Sequence, residues 1–187
     1  MKVLIPIVIG LLVVGCGKKE QPTNTNQSNN TPEKLIADPI VEKAIRKRLK
    51  KPKGELTKAD LEKVTSLHLR AKKLTDVKGL EKLTQLRGLN LDYNKLTDVK
   101  GLEKLTQLTR LNLSGNQLTD VKGLEKLTQL KTLWLGDNQL TELPKGLEKL
   151  TQLTGLYLKY NPDLTKAQID QLQKALPKCK IYSNPKK

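Results

Sequence analysis

Residue types that carry out most enzyme chemistry are scarce in this chain of 187 residues. The only histidine is His68, so a Ser-His-Asp triad or a histidine-based metal cluster has a single residue to draw on. The two cysteines, Cys16 and Cys179, are too far apart in sequence to form a CxxC site. No glycine-rich phosphate-binding loop follows a predicted strand. We therefore predict no catalytic residue, no metal ligand and no cofactor.

Carboxylates are the remaining groups that could act as a paired acid and base. They recur in one column made of Asp76, Asp98, Asp120 and Glu142 and in a second made of Glu81, Glu103, Glu125 and Glu148. A carboxylate that every unit repeats is better explained by a structural role than by one active site. We predict that both columns form surface charge ladders beside Lys78, Lys100, Lys122 and Lys145.

Groups that favour binding are better represented, because the chain carries five aromatic residues although it has no phenylalanine. Large aromatic side chains left on a surface supply much of the energy of protein interfaces. Aromatic residues also favour strands for packing reasons alone, which is the alternative explanation. We predict a ligand-binding face made of Tyr93, Arg110, Trp134, Tyr157, Lys159, Tyr160 and Tyr182.

An internal repeat must position these side chains. Residues 86–107, 108–129 and 130–152 are near copies, with a weaker copy at 64–85 and a diverging copy from residue 153. Equivalent leucines fall at Leu67, Leu89, Leu111, Leu133 and Leu156, so the steps are 22, 22, 22 and 23 residues. A fixed period of this length predicts a solenoid in which each unit packs on its neighbours.

The spacing inside one unit predicts its local structure. Leu111 and Leu113 are two residues apart, which is the alternation of a short strand, and Asn116 should end that strand. From Leu118 onward the apolar step is three, which favours a 3₁₀ or irregular return over an α-helix. The third, fifth and seventh positions of each unit then point away from the core. In the fifth position we expect the column His68, Asn90, Asn112, Trp134, Tyr157 and Lys180.

The end of the chain fits the same pattern and predicts a sixth strand. We align Cys179 with Leu156, 23 residues earlier, which turns the cysteine inward as a small hydrophobic residue. A reactive thiol is the alternative role of this cysteine. The alignment places Tyr182 in the seventh column. Neighbouring strands lie about 4.8 Å apart, so Trp134 and Tyr157 are predicted neighbours.

The repeated pattern LxxLxLxxNxLTxxxGLxxLTQ resembles the leucine-rich repeat family over residues 64–161. The resemblance implies an α/β fold, a curved solenoid with a parallel sheet of about six short strands on its concave side and 3₁₀ or irregular turns on its convex side. It also implies a buried asparagine ladder, which starts one unit late and consists of Asn94, Asn116, Asn138 and Asn161. The stretch DPIVEKAIRKRLKKPKGELTKADLEKVTSL resembles the helical N-terminal cap of internalin-like bacterial proteins.

The first residues of the chain carry a targeting pattern. Residues 3–14 form an apolar run of signal-peptide length, and the end Val13-Val14-Gly15-Cys16 resembles the lipobox of bacterial lipoproteins. An uncleaved signal anchor is the alternative. The following residues, 18–34, lack apolar side chains, which is typical of a disordered tether. We expect a signal peptide at 1–15, the lipidated cysteine and tether at 16–37, a helical cap at 38–63, repeats at 64–164 and a helix-strand C-terminal cap at 165–187.

These features predict a non-catalytic bacterial protein that is exported, lipid-anchored through Cys16, and faces the periplasm or the cell surface. We expect a monomer whose concave face binds a protein. One alternative is a binder of glycans or cell-envelope polymers that uses Trp134 and Tyr157 as a stacking platform, and another is a purely structural envelope protein. The net charge of +16 suits anionic envelope material, and export argues against nucleic acid. The basic run from Lys43 to Lys53 is either a solvated surface or a contact with an anionic membrane or polymer.

Overall fold

The computed structural model describes residues 34–184, which form a solenoid with a helical cap at each end. Helices α1 (Pro39–Leu49) and α2 (Lys58–Glu62) come first, and α3 (Lys166–Ala175) precedes the last strand. The strands are β1 (Ser66–His68), β2 (Gly88–Asn90), β3 (Arg110–Asn112), β4 (Thr132–Trp134), β5 (Gly155–Tyr157) and β6 (Lys180–Tyr182). These six strands form one parallel sheet in sequence order. The predicted solenoid is therefore confirmed.

The return segment of each central repeat contains a single 3₁₀ turn, as the three-residue apolar spacing predicts. The turns span Leu80–Lys82, Leu102–Lys104, Leu124–Lys126 and Leu147–Lys149. A glycine stands before each turn, and at Gly146 the backbone φ is 109°, a conformation that other residues rarely adopt. A Cβ on Gly146 would also lie 3.0 Å from the Cβ of Glu125 in the preceding turn. Glycine therefore allows successive turns to stack closely.

Leucines from the strands and from the turns meet in one continuous core. Leu111 in β3 and Leu113 just after it are fully buried, and Leu124 and Leu127 of the following turn belong to the same cluster. Burying one such side chain contributes about 1.5–3 kcal/mol. The same set of positions repeats in every unit, so each unit completes its packing against its neighbours.

Four buried asparagines pair the backbone groups of the loops that follow the strands, namely Asn94, Asn116, Asn138 and Asn161. The side-chain nitrogen of Asn116 donates to the carbonyl oxygens of Leu91 (3.1 Å) and Leu113 (2.9 Å). Its Oδ1 accepts from the N–H of Leu96 at 3.0 Å. Each amide thus ties its own loop to the loop of the preceding unit, and it removes the cost of burying those backbone groups unpaired.

The register of β1 to β5 follows the repeat, but the predicted register of β6 is wrong by two residues. Leu156 pairs with Ile181, and not with the cysteine two residues before it. Tyr157 pairs with Tyr182, which places Tyr182 in the fifth column and not in the seventh. Lys180 correspondingly moves from the fifth column to the third. The sixth strand therefore adds an aromatic ring to the column that already holds the tryptophan.

The connection through α3 sets this register. The side-chain nitrogen of Gln173 donates to the carbonyl oxygens of Leu176 (3.1 Å) and Cys179 (2.9 Å), which holds the turn between α3 and β6. Cys179 is buried in the core, as predicted. Burial raises the pKa of its thiol, so the thiol stays protonated and is a poor nucleophile.

The repeated carboxylates bind the backbone rather than lysine side chains, so the predicted charge ladders are wrong. Oε2 of Glu103 accepts from the N–H of Gly101 at 2.6 Å, and Asp98 accepts from the backbone in a similar way. Similar bonds recur at the other repeated carboxylates of the described residues, except at Glu142. Among these described carboxylates only Asp120 also forms an ion pair, with Lys122 at 2.8 Å. The N–H groups at the start of a turn lack a backbone partner, and a carboxylate two residues away is fixed within reach of them.

The N-terminal cap begins earlier than the sequence suggests. Ile36, which the predicted boundary at residue 37 leaves in the tether, is buried in the core. Oδ1 of Asp38, the N-cap residue of α1, accepts from the N–H groups of Ile40 (2.7 Å) and Val41 (2.9 Å). Val41 and Ile45 are buried, whereas Ile40 is 37% exposed. The buried side of α1 therefore leaves Ile40 toward solvent.

The predicted signal peptide, the cysteine at its end and most of the tether lie outside the described residues. Within residues 34–184, no helix is long and apolar enough to cross a membrane. The same residues contain no grouping of three or more His, Cys, Asp or Glu side chains that could hold a metal ion.

Candidate binding face

Three aromatic rings from adjacent strands form a stack on the concave face. Trp134 in β4 lies 5.5 Å from Tyr157 in β5, measured between ring centroids, and the two ring planes differ by 12°. Tyr157 lies 4.6 Å from Tyr182 in β6, with ring planes that differ by 8°. Both separations are close to the spacing of about 4.8 Å between neighbouring strands, so the sheet itself sets the stack.

The stack directs its ring faces toward one another. Tyr157 is covered on both faces, whereas Trp134 and Tyr182 each keep one outer face. The ring edges, with the indole N–H and the phenol hydroxyls, therefore provide most of the aromatic surface that a ligand can reach. Such edges carry positive partial charge and hydrogen-bond donors, so they suit carbonyl and carboxylate oxygens.

Gly155 makes room for the middle ring. A Cβ on Gly155 would lie 3.4 Å from Cε2 of Tyr157 and 3.5 Å from Cγ2 of Thr132. Gly155 is buried although it stands in an outward-facing column, because the ring of Tyr157 lies over it. The middle ring is thus held in place before any ligand arrives, which lowers the conformational entropy that binding would cost.

Three exposed cations surround the stack. Lys180 lies in β6 beside the last ring, and Lys159 follows Tyr157 by two residues and so shares its face. Arg110 lies in β3, one strand before Trp134. Within residues 34–184 none of the three cations forms an ion pair. Their charge is therefore available to a ligand on this face.

The N-terminal half of the same face holds a polar cluster instead. Arg70 forms an ion pair with Asp92 of the next unit, and its Cζ lies 4.5 Å from the ring centroid of Tyr93. Asp92 is only 3% exposed, and its Oδ1 has no hydrogen-bond partner among the described residues. This pair was not predicted, although opposite charges 22 residues apart in one column must be neighbours in a parallel sheet.

Two tyrosines occupy the rim position directly before a ladder asparagine. Tyr93 and Tyr160 have positive φ values, 53° and 63°, where the third repeat has Gly115. A left-handed backbone costs a non-glycine residue about 1 kcal/mol or more. Their side chains are nevertheless largely exposed, at 54% and 62%. An exposed aromatic residue in a strained conformation contributes little to the fold, which favours a role in binding.

The seven predicted binding residues fall into two groups. The larger group, in the C-terminal half of the sheet, contains Trp134, Tyr157, Lys159, Tyr160 and Tyr182, with Arg110 one strand away. Tyr93 lies apart from them, three repeats before Tyr160. The third ring of the stack was not expected, because the predicted register of β6 placed it in another column.

Comparisons with known proteins agree with this architecture. The leucine-rich repeat family model matches residues 84–126, 106–145 and 128–174. The structure is similar to that of an internalin (inlF) from Listeria monocytogenes, with 28% identity over 82% of this chain and a TM-score of 0.73. It is similar to internalin C2 of the same species, again with 28% identity over 82% of this chain and a TM-score of 0.72. A leucine-rich-repeat protein of Leptospira interrogans is 34% identical over 68% of this chain, with a TM-score of 0.61.

The chain spans only part of these proteins. It covers 46% of the inlF chain, 68% of the internalin C2 chain and 33% of the Leptospira chain. The comparison with curated proteins gave no match. The similarity therefore concerns the repeats and their caps, and it does not extend to what the longer proteins do as wholes.

Proposed function

We propose, from the premise that the chain is a bacterial leucine-rich-repeat protein of the internalin-like type, that it captures a partner protein on the concave face of its solenoid. Leucine-rich-repeat domains are commonly used for protein binding, and their curvature provides an extended concave surface. The proposal includes a lipid anchor at Cys16 that holds the domain outside the cytoplasm, facing the periplasm or the cell surface. It includes no catalytic step.

The observation that carries the proposal is the stack of Trp134, Tyr157 and Tyr182 with unpaired cations beside it. Aromatic and arginine side chains are the types most often found at the energetic centre of protein interfaces. The rings are ordered by the sheet and by one another, so a partner does not have to immobilise them. Lys159 and Lys180 add a positive field on both sides of the rings.

This arrangement suits an acidic protein segment. Ring edges and cations both favour oxygen atoms with negative charge, so a segment rich in carboxylates and exposed carbonyls would match the face at several points. The alternative of a glycan platform has less support. A sugar ring packs against an aromatic face, and both faces of Tyr157 are taken up by its neighbours.

The test compares two pairs of residues from the same columns. The aromatic pair is removed in Trp134→Ala/Tyr157→Ala, and the polar pair in Asn90→Ala/Asn112→Ala. A partner is first cross-linked to the immobilised wild-type domain from envelope fractions, identified by mass spectrometry, and then titrated calorimetrically. The aromatic variant should lose about 2–4 kcal/mol of binding free energy, and the asparagine variant less than about 1 kcal/mol.

Circular dichroism melts of both variants check that each one folds. A larger loss in the asparagine variant would place the site in the N-terminal half of the sheet. Saturable binding of an envelope polysaccharide, with no protein partner, would support the glycan alternative instead.

The anchor is tested separately. Cys16→Ala should abolish labelling by fatty-acid precursors and leave an unprocessed chain, because the lipidated atom would be the cysteine sulfur. Detergent-phase partitioning is the second readout, since several acyl chains on one residue anchor a protein stably. Equal labelling of the variant and the wild type would refute the anchor and leave the binding face untouched.

A further inference from the structure

The outward side of α1 combines exposed cations with exposed apolar groups. Lys43 and Lys47 lie one turn apart on one side of the helix, and Lys50 caps its C-terminal end in a left-handed conformation. All three lysines are exposed and line the same groove. Ile40 lies on that side and is 37% exposed, although isoleucine is among the residues most often buried. A shallow groove of about 570 Å³ runs along the same side and is also lined by Pro39.

Two acidic side chains of this region, Glu42 and Asp60, form ion pairs with other residues, and Glu42 also lines the groove. Glu42 binds Lys34 and Arg46, and these contacts hold the pKa of its carboxyl below the usual range. Asp60 binds Lys51 at 2.6 Å, which likewise lowers its pKa. Both carboxylates therefore stay ionised and paired at neutral pH. Among residues 34–184 no ion pair involves the three outward lysines.

This clustering costs helix stability. Like charges four residues apart on a helix repel, so Lys43 and Lys47 destabilise α1. Cations near the end of a helix do favour its dipole, which accounts for Lys47 but not for Lys43. The dipole also gives no reason for an isoleucine among the lysines. A partner that is anionic at its surface and apolar just beneath would offset both the repulsion between the lysines and the exposure of the isoleucine.

We propose that this side of α1 rests on the surface of an anionic phospholipid membrane. The ammonium groups of Lys43, Lys47 and Lys50 meet lipid phosphates there, while Ile40 and Pro39 enter the headgroup region. A soluble polyanion would attract the lysines equally well, but it would leave the two apolar side chains in water. The apolar side chains therefore favour the membrane over an envelope polymer.

The sequence that precedes the domain favours the same partner. The apolar run at residues 3–14 is a membrane-directing pattern, and Cys16 lies 23 positions before Pro39, the first residue of α1. In sequence, α1 is the first described helix after this run. The contact of α1 does not depend on lipidation, because the lysines and the isoleucine act by themselves.

Residues 34–187 form a compact unit with its own core, so this part of the chain serves for the test without the N-terminal segment. Binding is measured by co-sedimentation with vesicles of phosphatidylcholine alone and with an equimolar mixture of phosphatidylcholine and phosphatidylglycerol. We expect binding to the mixed vesicles only, and its loss at high salt. Each cation near an anionic surface contributes about fivefold, so Lys43→Gln/Lys47→Gln/Lys50→Gln should weaken binding about a hundredfold.

The matched control removes the same charge from the turn side of the solenoid. Lys82→Gln/Lys104→Gln/Lys126→Gln should weaken vesicle binding by less than about threefold, because those lysines lie on another surface. Ile40→Ser keeps every charge and should weaken binding about fivefold through lost apolar contact. Circular dichroism melts verify the fold of each variant.

Three outcomes would overturn the proposal. If the wild-type protein does not co-sediment with the mixed vesicles, α1 does not bind a membrane. Equal losses in the two lysine triples would show that only net charge matters. Binding to inorganic polyphosphate as tight as to vesicles, with no effect of Ile40→Ser on vesicle binding, would make the helix a site for a soluble polyanion. None of these outcomes affects the concave face, whose test uses other residues.

Discussion

On the turn side of the solenoid, glutamates at equivalent positions make the same hydrogen bond to the glycine two residues before them, at Glu81, Glu103, Glu125 and Glu148. On the sheet side, the fifth column of the same repeats holds a histidine, two asparagines and three aromatic residues. The backbone that carries both sets is nearly the same from unit to unit. The difference between the two sides therefore reflects what each side chain contacts.

Side chains that pair with the backbone are uniform because the backbone is uniform. A 3₁₀ turn has unpaired N–H groups at its start in every unit, and one residue type satisfies them each time. Side chains of the sheet face solvent or a partner, so the fold leaves their identity open. Uniformity thus indicates a structural role in this molecule, and departures from it indicate the surface that can be specific for a ligand.

The sharpest test of this contrast compares an asparagine inside the loops with an asparagine on the sheet. Asn116→Leu removes an amide that joins two loops through four backbone groups and leaves those groups without their partner. We expect the free energy of unfolding to fall by at least about 3 kcal/mol, measured by urea denaturation followed by circular dichroism.

The matched substitution, Asn112→Leu, lies on the sheet. There Oδ1 of Asn112 accepts one bond, from the N–H of Ser114 at 3.0 Å, in a partly exposed position. We expect the free energy of unfolding to fall by about 1 kcal/mol or less. Similar losses at Asn116 and Asn112 would mean that the two sides of the solenoid do not differ in this way.

The second test asks how much the variable side contributes to the fold itself. Tyr157→Ala breaks both contacts of the ring stack, whereas Tyr182→Ala breaks one. Stacked aromatic pairs contribute about 0.5–1.5 kcal/mol each beyond burial. We therefore expect the free energy of unfolding to fall by about 2 kcal/mol in Tyr157→Ala and by about 1 kcal/mol in Tyr182→Ala. Urea denaturation gives both values. A loss at Tyr157 as large as that at the ladder asparagine would make the stack a core element rather than a binding surface.

Much of the fold could be predicted because two independent features of the repeat indicate the same strand and turn positions. The leucine spacing determines both the strand and the three-residue return, and the recurring asparagine marks where each strand ends. The neighbours of Trp134 followed from the same spacing. The N-terminal boundary could not be predicted as well, since the three apolar residues before Asp38 carry no period, and Ile36 is held by tertiary packing alone.

The sixth strand shows where periodicity stops being informative. Cys179 and Ile181 are two residues apart, so both point inward in either of the two possible registers, and apolar pattern alone cannot separate them. The number of residues in α3 and its turn decides the register instead. The register that results places Tyr182 next to Tyr157. The third ring of the candidate site therefore depends on the connection whose register the sequence predicts least well.

The repeated carboxylates were misjudged for a different reason. Lysines lie close to them in sequence, but a mobile ammonium in water competes poorly with a backbone N–H held at a fixed position. A ladder of ion pairs would have been worth little in any case, because exposed pairs are screened by solvent. The preorganised N–H groups of the turns are the better partners.

The smallest expected effect tests this assignment on the turn side. The N–H of Glu103 and then that of Gly101 donate to the Glu103 carboxylate and lower its pKa, against the opposing effect of burial. A carboxylate whose pKa is lower in the folded state stabilises the fold above the glutamate pKa of the unfolded chain, roughly 4.3, and this contribution is lost as the pH falls below that value. Glu103→Ala should therefore lower the free energy of unfolding by about 0.5 kcal/mol at neutral pH and by progressively less as the pH falls into the acid range. Urea denaturation at a series of pH values measures this. Glu62→Ala is the matched control, because the Glu62 side chain is exposed and its carboxylate accepts no hydrogen bond within residues 34–184, so the effect should be small at every pH. If the loss of unfolding free energy in Glu103→Ala does not change with pH, the side chain acts through packing and not through its charge. The packing partner would be the next turn, where a Cβ on Gly123 would lie 3.4 Å from the Cβ of Glu103.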